Sequence, residues 1–355
     1  NISGLSSAQI AALTTANITG LESVDLARIS TAAIQGFEPD DLALLSSAQW
    51  QAITTAQISQ LLSTQIAALT TAQITLLSSN QISALTPSNI SGLSSAQIAA
   101  LTTANIAGLE SEDLAAITTE AIAGLETAEI ERLTTAQVQS LSRQQIEQLS
   151  STQLRAFTTS AIAALSGTQI SGFSPEGIAN LSTAQLAAIR PGLVFYVPGS
   201  GLSTAAIAAL SSTQVAAIFY SMFAEFSSAQ LAAFTTTNIS GLYDKQLAAL
   251  NAANIAGLES EDLALISTAA IQGLEPDDLA LLSSAQWQAI TTAQISQLLS
   301  TQIAALTTAQ ITLLSSNQIS ALTPSNISGL SSAQIAALTT VNIAGLESDD
   351  LAAIT

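Results

Sequence analysis

Large apolar residues recur along this chain at a fixed interval of eight. One series runs Leu5, Leu13, Leu21, Ile29, Phe37, Leu45, Ile53 and continues without a gap to Ile189. A second, five residues ahead, runs Ile10, Ile18, Leu26, Ile34, Leu42, Trp50, Ile58 and continues to Leu186. Together they define an octad with the consensus Leu-[Ser/Thr]-[Ser/Thr]-Ala-Gln-Ile-Ala-Ala, which resumes at Leu202 after one interruption. Eight helical residues advance about 800°, so an unbroken helix would rotate its apolar stripe by about 80° per octad. The interval fits neither a heptad nor an eleven-residue supercoil, and spacings of five and three are not the alternation of a strand. The helix therefore has to break in every octad.

Counting from its Leu, position 2 of the octad is usually Ser or Thr, a preferred N-cap, and position 5 is mostly Gln, Asn, Asp or Glu. Ser6 to Gln9 thus has the form of a capping box, with Leu5 and Ile10 as the matching hydrophobic staple. Pro39, Pro87, Pro175, Pro276 and Pro324 all fall at position 3, the first helical residue, where Pro is favoured. Twelve of the 17 glycines fall at position 8, where a residue just past the helix end is expected. Each octad reads as one or two turns of helix and a sharp corner. Isolated helices below about 12 residues are marginal in water, so neighbouring octads must bury each other's Leu and Ile. Ala at positions 4, 7 and 8 lets backbones approach. The predicted fold is all-α, a solenoid of very short helices, one per octad, around a continuous Leu/Ile core. Gly4, Gly20 and Gly36, and again Gly92, Gly108 and Gly124, are sixteen apart, which suggests two octads per structural turn. The handedness and the number of octads per turn stay open.

A longer period overlies this one. Leu26 to Thr118 recurs as Leu263 to Thr355 with four differences: Arg28/Leu265, Phe37/Leu274, Ala104/Val341 and Glu112/Asp349. The chain is expected to be a window on a longer protein of near-identical 237-residue modules, as tandem modules mostly span distance. The organisation expected is a solenoid over 1–189, an interrupting loop over 190–201 and a second solenoid over 202–355. Two prolines and three glycines break the pattern between Arg190 and Gly201, and Leu193 to Val197 has strand propensity. Eight of the 13 aromatic residues lie between Phe195 and Tyr243. This region either folds back on its own aromatic octad, or forms a contact between chains through Phe195, Tyr196, Phe219, Tyr220, Phe223 and Phe226, or lines a small pocket.

Composition narrows the chemistry. The 355 residues include no Cys and no His, which excludes disulfides, thiolate nucleophiles, imidazole ligands and His-based triads. A net charge of −19, with six basic residues forming no patch, argues against nucleic acid and anionic membranes. Mean hydropathy is +0.47, yet no apolar run approaches the ~18 residues of a membrane span. Acid clusters recur at positions 2 to 5, among them Glu38, Asp40 and Asp41, and Glu110, Glu112 and Asp113. There they complement helix dipoles and cap free N–H groups. Ca²⁺ is the alternative these carboxylates suggest, without EF-hand or nonapeptide spacing; no other cofactor is expected. Paired Ser/Thr residues such as Thr14-Thr15 and Thr102-Thr103 form a hydroxyl ladder that capping accounts for and that a glycan could also read. The sequons at Asn17, Asn89 and Asn238 arise from the octad itself. Trp50 and Trp287 hold equivalent core positions.

The run LSSAQIAALTTANIAGL at Leu93 to Leu109 resembles the LTTAQIAAL-type octad arrays of very large secreted or surface proteins of proteobacteria. The resemblance spans nearly the whole chain except Arg190 to Gly201. It implies an extracellular structural or adhesive role and carries over no site residues. The expected function is non-enzymatic: a self-assembling module of an extracellular fibre, sheath or surface array, with itself as partner. The alternative is an adhesin stalk that presents a Ser/Thr or acidic face to a glycan, a protein or Ca²⁺.

Overall fold

The polar half of the octad decides where each helix begins. In the computed structural model, which describes residues 2–196 and 202–354, position 2 is the N-cap and position 3 the first helical residue in most octads. Ser6 shows the arrangement: its Oγ accepts from the N–H of Gln9 at 3.3 Å, and its own N–H donates to Gln9 Oε1 at 2.9 Å. Pro39, Pro87, Pro175, Pro276 and Pro324 each start an α-helix. Thirty-five α-helices of four to six residues, with short 3-10 helices between some of them, account for the regular structure of the described residues, and no strand occurs among these. The fold is a solenoid of very short helices. The chain divides into two compact units, Asn1–Leu181 and Ser182–Thr355.

Within each unit the two apolar series form the core. Ile58, Ile66 and Ile74 are 1% exposed, and Leu61, Leu69 and Leu77 are 4% exposed. Helices pack against those three octads away, as Pro39–Ala43 does on Ser63–Ala67 and Pro276–Leu281 on Ser300–Ala305. The turns are tied by the residue at position 5. Gln57 accepts at Oε1 from the capping N–H of Thr54 at 2.8 Å and donates from Nε2 to Leu26 O and Ile29 O, both at 2.8 Å. Gln145, Gln246 and Gln294 repeat this, always to carbonyls 31 and 28 residues earlier. One acceptor lies in the last turn of a short helix and the other opens the next octad, so each rung lands on a corner of the turn beneath. Very short helices leave most of their carbonyls without intrahelical partners, and the rungs supply donors. The register also corrects the two-octad expectation: the chain returns over itself after 28 to 31 residues, between three and four octads.

The stack has a direction. Gln9 and Asn17, in the first turn described, are exposed, whereas Asn342 and Asp350 are buried. Ile10 and Ile18 are fully buried, whereas Ile343 and Leu351 are 49% and 60% exposed. Position 5 therefore faces the preceding turn and position 6 the following one.

Glycine at position 8 serves this stacking and not the helix end. Among the described residues no glycine has a positive φ, so none is a left-handed cap. A Cβ on Gly124 would instead collide with the carbonyl of Ser95 in the preceding turn, and the same clash recurs at Gly36 against Ser7. Gly124→Ala is expected to lose about 1–3 kcal/mol by forcing backbone apart, while Gly4→Ala, with nothing near it, stays within about 0.5 kcal/mol. Urea denaturation of the two variants checks this.

The interruption is shorter than its sequence suggests. Pro191–Tyr196 is a 3-10 helix and not a strand, and Val194 is 1% exposed. Pro191 sits at position 3 and Val194 at position 6, so the octad frame holds through Tyr196. A proline at the first helical position and one core side chain outweigh the strand propensity of the run. Val197 to Gly201 lie outside the described residues.

Candidate interaction surface and acidic rungs

The aromatic octad after the interruption has two faces. Tyr220–Ala224 is a 3-10 helix in which Phe223 takes position 6 and is fully buried, while Phe226 at position 1 is 3% exposed. The Phe223 ring lies 5.0 Å from that of Phe226 and 5.9 Å from that of Phe234. Phe223 and Phe226 are thus core residues of their own chain, and the expectation that they contact a neighbour fails for them. Their spacing, at positions 6 and 1, carried that signal. Phe219 and Tyr220, at positions 2 and 3, are 37% and 40% exposed with ring centres 4.6 Å apart. Tyr243, half-buried at position 2 three octads on, caps the helix Asp244–Leu247 that packs on Tyr220–Ala224, and burial, then Asp244 and Tyr220, raise its hydroxyl above the usual range. It was absent from the residues expected at a contact, although an aromatic at a capping position was its signal. The side chains of Phe195 and Tyr196 lie outside the described part of the chain.

The acids stand in the first turns of their helices. Glu38, Asp40, Glu110 and Glu112 are exposed, Asp41 is half-buried and Asp113 is 2% exposed. Among the described residues, no three His, Cys, Asp or Glu side chains gather in a way that could hold an ion. Capping is also weaker than expected. Glu22, Glu38, Glu110, Glu126, Glu259 and Glu275 occupy N-caps but make no side-chain cap hydrogen bond. These glutamates are half of a pattern. Position 2 is acidic in seven octads, and in those seven alone position 5 is acidic too: Glu22/Asp25, Glu38/Asp41, Glu110/Asp113, Glu126/Glu129, Glu259/Asp262, Glu275/Asp278 and Glu347/Asp350. The acid at position 5 holds the place of a rung.

The remaining candidates are structural. The first hydroxyl of most Ser/Thr pairs is used in the cap, as in Thr54 Oγ1 to Gln57 Oε1 at 3.1 Å, and the second, such as Thr55, is exposed. Asn89 and Asn238 are 1% exposed, and their Nδ2 groups donate to Ile58 O and Ile207 O at 3.0 and 2.9 Å. A glycan on either nitrogen would break a rung. Trp50 and Trp287 fill the core, with Nε1 donating to Gln73 O and Gln310 O at 3.0 Å. Shallow grooves recur at equivalent positions, one of about 520 Å³ beside Ser95, Gly124 and Gln153 and one of about 430 Å³ beside Ser7, Gly36 and Gln65. They follow the contact between turns and repeat with it.

No curated protein matches the chain. Among solved structures, the leucine-rich repeat-containing protein LegL7 from Legionella pneumophila is similar at 15% identity over 83% of this chain and 80% of that one. Its TM-score of 0.14 gives the likeness no weight. Four stretches, residues 34–71, 79–111, 106–143 and 271–308, match the ALTTAQ repeat, so the chain is similar to that repeat in both units and is a repeat array.

Proposed function

We propose that this chain is a non-enzymatic structural protein, a self-assembling module of an extracellular bacterial fibre, sheath or surface array. The observation that carries the reading is the aromatic patch of Phe219, Tyr220 and Tyr243. A solenoid of identical octads has no preferred axial position, so neighbours could slide by one octad at little cost. A defined spacing needs one distinctive feature per module. Elsewhere the described exposed faces are largely Ser, Thr, Ala and Gln with single aliphatic side chains such as Leu44 and Leu62, which recur as Leu281 and Leu299, and the aromatic patch occurs in the stretch that the two near-identical copies do not share. Aromatic anchors often dominate contact energy, at about 2 kcal/mol or more when fully buried. The partner in this reading is another copy of the chain. The charge of −19 disfavours nucleic acid, and no described helix is long and apolar enough to cross a membrane.

The test is electron microscopy of purified protein and of the double variant Phe219→Ser, Tyr220→Thr. The parent is expected to form ordered assemblies with one axial repeat per module, and the variant to keep its helical circular dichroism and lose that order. Identical assemblies from both would refute the contact. A parent that stays monomeric and binds a glycan or protein would favour an adhesin stalk.

A further inference from the structure

At most positions the rung is an amide, which accepts the capping N–H with its oxygen and gives its N–H protons to the turn beneath. Asp has the length of Asn and Glu the length of Gln, so a carboxyl at position 5 puts an oxygen where an amide nitrogen stands. Asn254 shows how close that is: its Nδ2 lies 2.8 Å from Phe223 O and 3.1 Å from Phe226 O. An ionised carboxylate there meets carbonyl oxygens and has no hydrogen to offer. A protonated one donates as the amide does. The spacing suits a hydrogen bond. Glu129, isosteric with Gln, is 6% exposed, and its Oε2 is buried without a hydrogen-bond partner.

We infer that the carboxyl rungs Asp113, Asp262 and Asp278 are proton-operated latches, which bind the turn beneath when protonated and release it when ionised.

The surroundings favour the proton. Burial first, then Glu110 and Glu112, push Asp113 up from 3.8 to about 6, against a lowering by the Glu110 N–H. Burial, then Glu259 and Glu261, raise Asp262; burial, then Glu275 and Asp277, raise Asp278. The helices packed on Asp113, Pro87–Ile90 and Thr135–Ser140, carry no charge, nor does Ser284–Ala289 against Asp262. Asp278 faces the uncharged Ser300–Ala305 and Ile255–Gly257, with Asp244 and Lys245 on the helix one turn beneath. A folded-state pKa above the unfolded value gives stability that is complete below about pH 4 and is lost as pH rises through about 6. Acid therefore tightens this solenoid, the reverse of ordinary acid denaturation.

The experiment uses the whole chain and compares thermal melting and amide exchange at pH 7.5 and 4.5. One variant carries Asp113→Asn, Asp262→Asn and Asp278→Asn. A control carries Glu112→Gln, Glu261→Gln and Asp277→Asn, which removes the same charge from exposed neighbours. The parent is expected to melt higher at pH 4.5, with exchange around Leu114 slowed by up to about 25-fold after correction for intrinsic rates, the most that a rise from 3.8 to about 6 allows between these two pH values. The rung variant should melt higher than parent and control at pH 7.5 and lose most of the pH response, which the control keeps. Equal pH responses in the two variants would overturn the latch. So would a parent indifferent to acid but stabilised at pH 7.5 by added Ca²⁺, which would make the rung oxygens cation ligands.

Discussion

Gln145→Leu is expected to destabilise the chain by about 3–5 kcal/mol, although leucine is nearly the same size and the site is buried. Three hydrogen bonds end on this side chain. The N–H of Ser142 donates to its Oε1 at 2.8 Å, and its Nε2 donates to Leu114 O and Ile117 O at 2.9 and 2.8 Å. Leucine returns some apolar burial but leaves a capping N–H and two carbonyls of the turn beneath without this partner. Each buried polar group left unsatisfied costs about 1–3 kcal/mol. Gln148→Leu, three residues on at an exposed position, is expected to stay within about 0.5 kcal/mol. Urea midpoints of the two variants make the comparison, and equal effects would mean that the rungs do not hold the turns.

Ile74→Asp has the other large expected effect, about 5 kcal/mol or more, enough to unfold its part of the solenoid. Ile74 is 1% exposed at position 6, where the following turn covers it. The helix Thr71–Leu76 carries no charged residue, and neither do Ser47–Gln51 and Ser95–Ile98, which pack on it. An aspartate there would be buried without a counter-charge, or would open the stack to reach water. Ile74→Val, which removes one methylene, is expected to cost about 1 kcal/mol. Loss of helical circular dichroism in urea separates the two, and near-equal midpoints would mean that position 6 is not a shared core.

What the sequence made legible was local. Ser6 with Gln9, and the position-3 prolines, act through residues three apart, so cap and helix start could be read from spacing alone. The apolar series likewise fixed which side chains are buried, down to Trp50. The number of octads per turn was not legible, because Gln57 meets Leu26 and Ile29 across a register that no nearby residue encodes. The glycines misled for the same reason: Gly124 is small for the sake of Ser95, a partner in the turn before it. At Leu193 to Tyr196 local propensity pointed to a strand, and Val194 in the core frame overrode it. For the candidate surface, clustering of aromatics in sequence pointed to the right octad but not to the right side chains. Position within the octad separates buried Phe223 and Phe226 from exposed Phe219 and Tyr220. The pairing of acids at positions 2 and 5 was present in the sequence, but its meaning depends on knowing that position 5 is a rung.

The central claim is the register of those rungs, and an electron-density map of the whole chain at side-chain resolution tests it most directly. The expected result is a position-5 amide nitrogen within hydrogen-bond distance of main-chain oxygens 28 and 31 residues earlier, at Gln57, Gln145 and Gln294 alike. Amides pointing to solvent, or turns that close after two octads in step with the glycine period, would contradict it.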